Sequence, residues 1–477
     1  MTTTLYWHDY ETWGADPRID RAAQFAGIRT DINLNIIGKP MVHYCKPAAD
    51  MLPNPEACLI TGITPQKALQ DGLCEAEFMA EIHKEFIQPG TCGVGYNSIR
   101  FDDEFTRYGF YRNFFDPYAR EWKNGNSRWD IIDMLRLTRA LRPEGIEWPA
   151  DENGTVSFRL EKLTKANSIN HKGAHDALAD VHATIDLARL VQKNQPKLYS
   201  YLFENRGKQA ISRQLNLQTK QVVLHVSSMY PSEQGCISPV IPLAQHPVNT
   251  NGIIVFDLRH DPAALLDLNV EEIRQRLFVK TADLPEGKER IPLKTVHINK
   301  CPVIAPLATM DLLQAERWQI DTELAARYAE QLRANPGLSG KIQKVHAAQE
   351  FPPTSDPDQD LYGGGFFSNL DRSRMDAIPD MNPTNLSKTR MQFDDPRISE
   401  MIFRYRARNW PQSLSKAERI RWEEFRRYRL CNPEADCGLT LSEYRKQLAE
   451  KVMQAETSSE QRAILSELAD WPSILKV

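Results

Sequence analysis

The 477-residue sequence predicts a mixed α/β domain, then a strand-rich region, then an almost wholly helical one. Three observations predict it. Three antiparallel strands open the chain and give way to alternating helices and strands, the pattern of a mixed sheet flanked by helices. After a polar helical stretch at residues 198–212 the composition shifts toward short strands. Beyond a Pro-rich segment at residues 351–357 helical periodicity takes over. At roughly 100–200 residues per domain the length allows two to four domains, and these shifts put the boundaries at 1–195, 196–350 and 351–477.

Composition narrows the function classes. The net charge of -4 gives no global basic character, so binding to a nucleic acid must come from a local patch. The eight cysteines (45, 58, 74, 92, 236, 301, 431 and 437) show no C-x-x-C spacing. They read as reduced thiols, not a disulfide frame or a zinc site. The N-terminus lacks a basic region followed by an apolar one, and no run of ~18 apolar residues occurs. A soluble, cytoplasmic protein without a membrane partner is expected.

The first strand begins apolar and aromatic, Leu5-Tyr6-Trp7-His8, and runs into Asp9-Tyr10-Glu11-Thr12. Residues two apart on a strand share a face. Asp9 and Glu11 therefore place two anions side by side, which costs several kcal/mol unless compensated, and a hard divalent cation compensates oxygen ligands best. A strand end running into a solvated turn at Gly14 fits the same residues. Residues 24–30 and 34–44 read as two further strands joined by a turn at Asp31-Ile32-Asn33. Pro53 and Pro55 mark a loop, and residues 59–65 a turn into a helix capped by Thr64 with Pro65 in its first position. A helix over 75–86 and a short strand over 94–97 follow.

A second acidic group opens the next helix, Asn97-Ser98-Ile99-Arg100-Phe101-Asp102-Asp103-Glu104-Phe105. Acids in a first turn also satisfy the helix dipole alone. The third group is His171-Lys172-Gly173-Ala174-His175-Asp176-Ala177-Leu178-Ala179-Asp180-Val181-His182. A helix over 176–191 is predicted, with Asp176 as cap or first-turn acid. Asp180 lies one turn deeper, where a capping role is gone. Ala177, Ala179 and Ala183 leave room for close approach. His175 sits in the preceding loop, free to reach a substrate, whereas His182 reads as a partly buried helix residue.

Asp9-Tyr10-Glu11, Asn97-x-x-x-Phe101-Asp102 and His175-x-x-x-x-Asp180 together resemble the three motifs of the DEDDh exonuclease superfamily. With Ser157-Phe158-Arg159-Leu160-Glu161, the sequence is most similar to its bacterial exodeoxyribonuclease I family, over the whole chain. The resemblance implies an RNase H-like exonuclease domain, an SH3-like β-barrel domain and an all-α C-terminal domain. It implies 3′→5′ hydrolysis at two Mg²⁺ ions, for which Mn²⁺ can substitute. Two ions about 4 Å apart can stabilise the attacking and leaving oxygens of an in-line displacement together, and four carboxylates suit such a pair. By this resemblance Asp9 bridges both ions, Glu11 and Asp180 complete one site, Asp102 serves the second, and His175 is the general base. Glu11 also reaches the terminal 3′ hydroxyl, and Arg159 matches a substrate-binding arginine, although an exposed arginine at a helix start reads the same way.

Residues 96–129 hold eleven aromatics in 34 positions, against 9% for the chain, interleaved with Arg100, Arg107, Arg112, Arg120, Lys123 and Arg128. Single-stranded nucleic acid is held by a cationic groove with aromatic faces. Half or more of these rings are expected in the core, with Arg107, Tyr118, Trp122 and, further on, Arg136 as strand contacts. Residues 145–154 read as a surface loop.

In the remainder, residues 221–226, 236–243, 252–258 and 295–303 read as strands, interrupted by a helical stretch over 261–277 and closed by helical residues 312–348. His297-Ile298-Asn299-Lys300-Cys301-Pro302 fits a DNA-near segment and a plain strand and turn equally. Tyr362-Gly363-Gly364-Gly365-Phe366-Phe367 reads as a tight loop against aromatics. Residues 401–430 hold nine Lys/Arg against three Glu. With their aromatics they fit a wall over single-stranded DNA, an acidic-peptide site or a solvated helix face. The resemblance implies a partner in the acidic C-terminal tail of single-stranded DNA-binding protein, with the basic helical region or Arg139 and Arg142 as its candidate seats. The expected function is a single-stranded-DNA-specific exonuclease of DNA repair and recombination, processive, monomeric and releasing 5′-mononucleotides. An exoribonuclease of the same superfamily and a noncatalytic single-strand-binding protein are the competing readings.

Overall fold

The computed structural model describes residues 2–347, 356–386, 391–435, 438–454 and 458–476. In chain order its elements are β1 (Thr4–Thr12), β2 (Ala22–Thr30), β3 (Ile36–Tyr44), α1 (Pro55–Thr61), α2 (Pro65–Asp71), α3 (Glu75–Phe86), β4 (Thr91–Gly95), α4 (Asp102–Arg112), β5 (Ser127–Asp130), α5 (Ile132–Leu141), α6 (Leu160–Ala166) and α7 (Ala177–Asn194). There follow α8 (Pro196–Asn205), α9 (Lys208–Gln214), β6 (Val223–Val226), β7 (Ile237–Gln245), β8 (Gly252–Asp257), α10 (Ala263–Asp267), α11 (Val270–Leu277), β9 (Leu293–His297), β10 (Val303–Pro306), α12 (Leu312–Arg317), α13 (Thr322–Arg333) and α14 (Leu338–His346). The last elements are α15 (Asn369–Met375), α16 (Pro383–Leu386), α17 (Pro396–Asn409), α18 (Lys416–Cys431), α19 (Leu441–Val452) and α20 (Ser459–Leu475).

The chain forms two compact units. One takes Met1–Ser127, His171–Ile185 and Pro352–Val477; the other takes Arg128–Asn170 and Asp186–Phe351. In the first, strands run in the order β3-β2-β1-β4, with β1 antiparallel to β2 and parallel to β4. The mixed sheet is as predicted. Tyr6 and Tyr10 of β1 pack with Phe25, Phe78, Met79, Ile82, Phe86 and Phe110. His8 joins this face, its ring edge-on to Phe86 at 4.9 Å. Alternation then puts Asp9 and Glu11 on the opposite face.

A second core in this unit joins the two ends of the sequence. Trp13, Ala23, Met51, Leu52, Cys58 and Ala68 pack with Leu430, Tyr444, Leu448, Leu465, Leu468 and Trp471. A buried ion-pair network fastens the same regions. Arg408 contacts Asp50 at 2.8 Å and Asp358 at 2.7 Å, Arg404 reaches Asp358 and Asp356, and Arg429 reaches Asp356 and Asp50. Arg406 pairs with Glu418 and Arg426 with Glu423. The local excess of cations in residues 401–430 is therefore largely spent inside the unit. Of the nine basic residues Arg404, Arg406, Arg426 and Arg429 are buried and the Arg408 side chain is nearly so, which corrects the expectation of a basic wall or solvated face there.

The second unit holds a five-stranded antiparallel sheet in the order β10-β6-β7-β8-β9. Strand β8 is an interior strand, between β7 and β9. Ile254 and Phe256 face a core built with Leu265, Ile273, Ala325, Leu332 and Ile342, while Ile253 and Val255 face Ile211, Leu215, Val240 and Val296. Both faces of the strand are apolar because both are covered.

Several element boundaries differ from the sequence-based expectation. Pro55 opens α1 instead of extending a loop, because Asn54 caps the helix and proline suits its first turn. Residues 59–61 accordingly finish that helix. The helix expected over 261–277 restarts at Asn269, which forms a capping box with Glu272. The strand expected over 295–303 is the end of β9 and the start of β10, separated by a turn with Cys301 at φ 45. Residues 312–347 form three helices, restarted by the caps Asp311 and Asp321 and by Gly337. The linker expected at residues 351–357 lies, except for Asp356 and Pro357, outside the described residues. Among the described residues no helix is long and apolar enough to cross a membrane.

Candidate active site

Strand β4 pairs with β1 only from Thr4 to Trp7. Asp9 and Glu11 thus lie past the carboxyl end of the parallel pair, the end of an α/β sheet where ligands bind. Strand β2 continues alongside, with Glu11 opposite Gln24 and an irregularity just after it.

The chain leaves β4 through Asn97, at φ 60, and a 3₁₀ turn at Ser98–Arg100 before α4 begins. The three acids of its first turn go in three directions. Asp102 accepts a hydrogen bond from the Tyr10 backbone N–H at 3.0 Å, which ties the helix to β1. Asp103 pairs with the buried Arg120 at 2.5 Å. Glu104 pairs with Arg107 and accepts from the Tyr362 hydroxyl. Asp102 and Asp103 are buried, which is more than a helix dipole would ask of them.

The third segment arrives on α7. Asp176 accepts from the Ala179 N–H at 3.2 Å and from Gln24 Nε2, while Gln24 Oε1 accepts from the Ala177 N–H at 3.1 Å. Gln24 therefore joins the β1–β2 pair to the start of α7. Sequence reasoning missed it, and the only signal was its position opposite Glu11. The loop before α7 turns through Gly173 at φ 89 and His175 at φ 68, closed by the Asp176 N–H donating to the Gly173 carbonyl at 2.9 Å.

Ligand atoms of Glu11, His175 and Asp180 all lie within 4.8 Å of one another. Asp9 and Asp102 stand within electrostatic reach of this trio. Burial, and then Asp102, Asp180 and Glu11, hold the Asp9 carboxyl well above its usual range. Burial and the neighbours Asp180, Asp102 and Asp176 push Glu11 up to about 9. Burial also raises Asp180, against the pull of His171 and His175. A divalent cation would relieve the repulsion that raises these groups, and four carboxylates with one imidazole form a donor set that fits Mg²⁺ or Mn²⁺. His171, also not singled out from sequence, brings its Nε2 to 2.5 Å from Asp180 Oδ1. Behind the strand, burial lowers His8 to about 4, leaving a neutral imidazole. His182 is half-buried on α7.

The expected strand contacts are placed very differently from one another. Arg107 is 4% exposed, held between Glu121 at 2.7 Å and Glu104 at 2.8 Å, with its guanidinium over the half-buried Tyr118 ring. Its charge is matched within the protein. Trp122 is 66% exposed and offers an open face. Six of the eleven aromatics of the segment, Phe105, Tyr108, Phe110, Tyr111, Phe114 and Trp129, are core. In the second unit Arg136 is buried against Asp133 and over Phe158, whereas Arg159 is exposed at the residue before α6. There too, Arg139 donates to the Ser232 carbonyl and lies over Trp318, and Arg142 donates to the Thr309 carbonyl.

Three family models match the chain: an exonuclease domain over residues 6–188, the exonuclease I SH3-like domain over 206–348 and the exonuclease I C-terminal domain over 355–475. Exodeoxyribonuclease I of Haemophilus influenzae is 48% identical over 429 residues, 90% of each chain. Among solved structures, a moderately thermophilic exonuclease I from Methylocaldum szegediense aligns over 100% of both chains at 52% identity with a TM-score of 0.96. The zinc-bound form of Escherichia coli exonuclease I in complex with single-stranded DNA aligns over 100% of both chains, at 45% identity with a TM-score of 0.94.

Proposed function

The chain belongs to the exodeoxyribonuclease I family, and we propose that it digests single-stranded DNA from the 3′ end at a pair of Mg²⁺ ions, releasing 5′-mononucleotides. The observation that carries this reading is the convergence of Glu11, His175 and Asp180 within 4.8 Å, with Asp9 and Asp102 loading the same cluster. Asp9, Glu11, Asp102 and Asp180 would hold the ions, which when bound stabilise negative charge on the attacking and leaving oxygens. His175 is exposed on a left-handed turn at the edge of the cluster. From there its imidazole takes the proton of the attacking water, a general-base task that a side chain reaching the cluster from a loop can perform. Glu11 receives the 3′-terminal hydroxyl, and Arg159 a phosphate through a bidentate contact. Mn²⁺ can replace Mg²⁺, since both are hard ions with oxygen preference.

The single-stranded DNA held by a structural relative supports the substrate class. The exposed Trp122 face supports stacking on unpaired bases. The same reading carries a processive monomer acting in the cytoplasm in DNA repair and recombination, with the acidic tail of single-stranded DNA-binding protein as partner. The test is release of label from 3′- and 5′-labelled single-stranded DNA, with Mg²⁺ or EDTA, beside matching RNA and duplex. Immediate mononucleotide from the 3′ label, on single-stranded DNA and with metal only, is expected. Preference for RNA would make it an exoribonuclease, and tight binding without release would make it a single-strand-binding protein.

A further inference from the structure

We propose that His171 is a positioning residue for Asp180, holding one oxygen of that carboxylate so that the other is presented to the ion shared with Glu11. The inference rests on the metal-dependent reading above. Asp180 is one turn into α7, where a carboxylate has more than one staggered orientation open to it. The His171 Nε2 to Asp180 Oδ1 distance of 2.5 Å removes that choice.

The loop is built to deliver this contact. Gly173 and His175 both take positive φ, and the turn they make reverses the chain over four residues. Two imidazoles from one loop thereby act on the same carboxylate. They are not equivalent. The His171 side chain is only 6% exposed, fixed by its surroundings, whereas His175 is exposed and free to meet a substrate. A carboxylate ligand whose spare oxygen is hydrogen-bonded is held in orientation, and loss of such an outer contact typically costs about 10–100-fold in metal affinity. The opposite possibility is that His171 competes with the cation for Asp180. The two differ in sign, so one measurement separates them.

The measurement is Mn²⁺ binding to the full-length protein without DNA, followed by electron paramagnetic resonance, alongside the Mg²⁺ dependence of mononucleotide release. His171→Ala is expected to weaken Mn²⁺ binding about 10–100-fold, to raise the Mg²⁺ needed for half-maximal turnover in proportion, and to approach wild-type turnover at saturating Mg²⁺. His171→Gln, whose amide N–H can reach the same oxygen, should recover most of the affinity. His171→Leu, which fills the space without a donor, should behave as the alanine variant does and carries the test if that variant does not fold. His175→Ala should instead lose turnover even at saturating metal. Mn²⁺ affinity unchanged or tightened in both His171→Ala and His171→Leu overturns the proposal. Failure of the wild-type protein to bind Mn²⁺ or release nucleotide would sink the metal-dependent reading itself, before any variant is compared.

Discussion

Two sets of carboxylates in the first unit solve the same electrostatic problem in opposite ways. Asp50, Asp356 and Asp358 meet Arg404, Arg408 and Arg429 from the far end of the chain. Asp50 and Asp358 are fully desolvated, yet those arginines hold both well below the usual carboxylate range. Asp9, Glu11 and Asp180 gather with Asp102 and are raised, Asp9 and Glu11 by burial and neighbouring carboxylates and Asp180 by burial against the pull of His171 and His175. Where the chain completes its own charge balance the result is architecture. Where it leaves the balance to an added cation the result is a site.

The sharpest way to break the comparison is to remove one acid from the cluster. Asp180→Ala should abolish hydrolysis, a loss on the order of 10³-fold or more, while single-stranded DNA binding by fluorescence anisotropy persists. Retained turnover would remove Asp180 from the metal site. The paired set should respond in stability instead. Arg408→Met removes the arginine shared by Asp50 and Asp358, leaving Asp50 to Arg429 and Asp358 to Arg404, and should cost up to about 3–5 kcal/mol, read as a shift in denaturation midpoint. A second change, Asp50→Asn, should add less than its own single effect, since both act on one network.

The pH slopes should also oppose each other. Glu11 is raised, so the folded protein keeps its proton up to about 9 while the unfolded chain releases it near 4.5. Metal-free stability therefore falls as pH rises through that window. Glu11→Gln should flatten the fall in thermal melts by a few degrees or more, and added Mg²⁺ should offset it in the wild type. Asp50 and Asp358 are depressed, so their contribution is present above the ordinary carboxylate range and is lost as the pH drops below it. The smallest expected effect lies outside both sets. Trp122→Ala should weaken single-stranded DNA binding by about 1–3 kcal/mol with the melting temperature unchanged. An unchanged dissociation constant would leave that open indole without a role in binding.

Strand and helix periods put Asp9 beside Glu11 and Asp180 deeper in its helix than Asp176, but only the resemblance of the three motifs joined these residues into one site. Asp102 was legible only through its motif, since a first-turn acid has an ordinary explanation until Tyr10 is seen donating to it. Gln24 and His171 were not legible, because their bonds to the start of α7 and to Asp180 come from tertiary placement, which no periodicity or motif announces. The arginines misled for a related reason. Sequence counts charges but does not pair them, so Arg107 and the cations of residues 401–430 read as open surface although Glu104, Glu121, Asp356, Asp358 and Asp50 take them up. Helix starts were clearest where a cap was written into the sequence, as at Thr64, and least clear where a cap interrupted an apolar periodicity, as at Asn269.

The core that joins Trp13, Met51 and Cys58 to Leu448, Leu468 and Trp471 also sets a schedule for biogenesis. Those N-terminal side chains emerge from the ribosome more than 350 residues ahead of Leu448, Leu468 and Trp471. At roughly 5–20 residues per second the nascent chain carries an uncovered apolar face for about 20–80 s. The first unit is thus a late-closing one, and the interval before closure is when chaperones would find it.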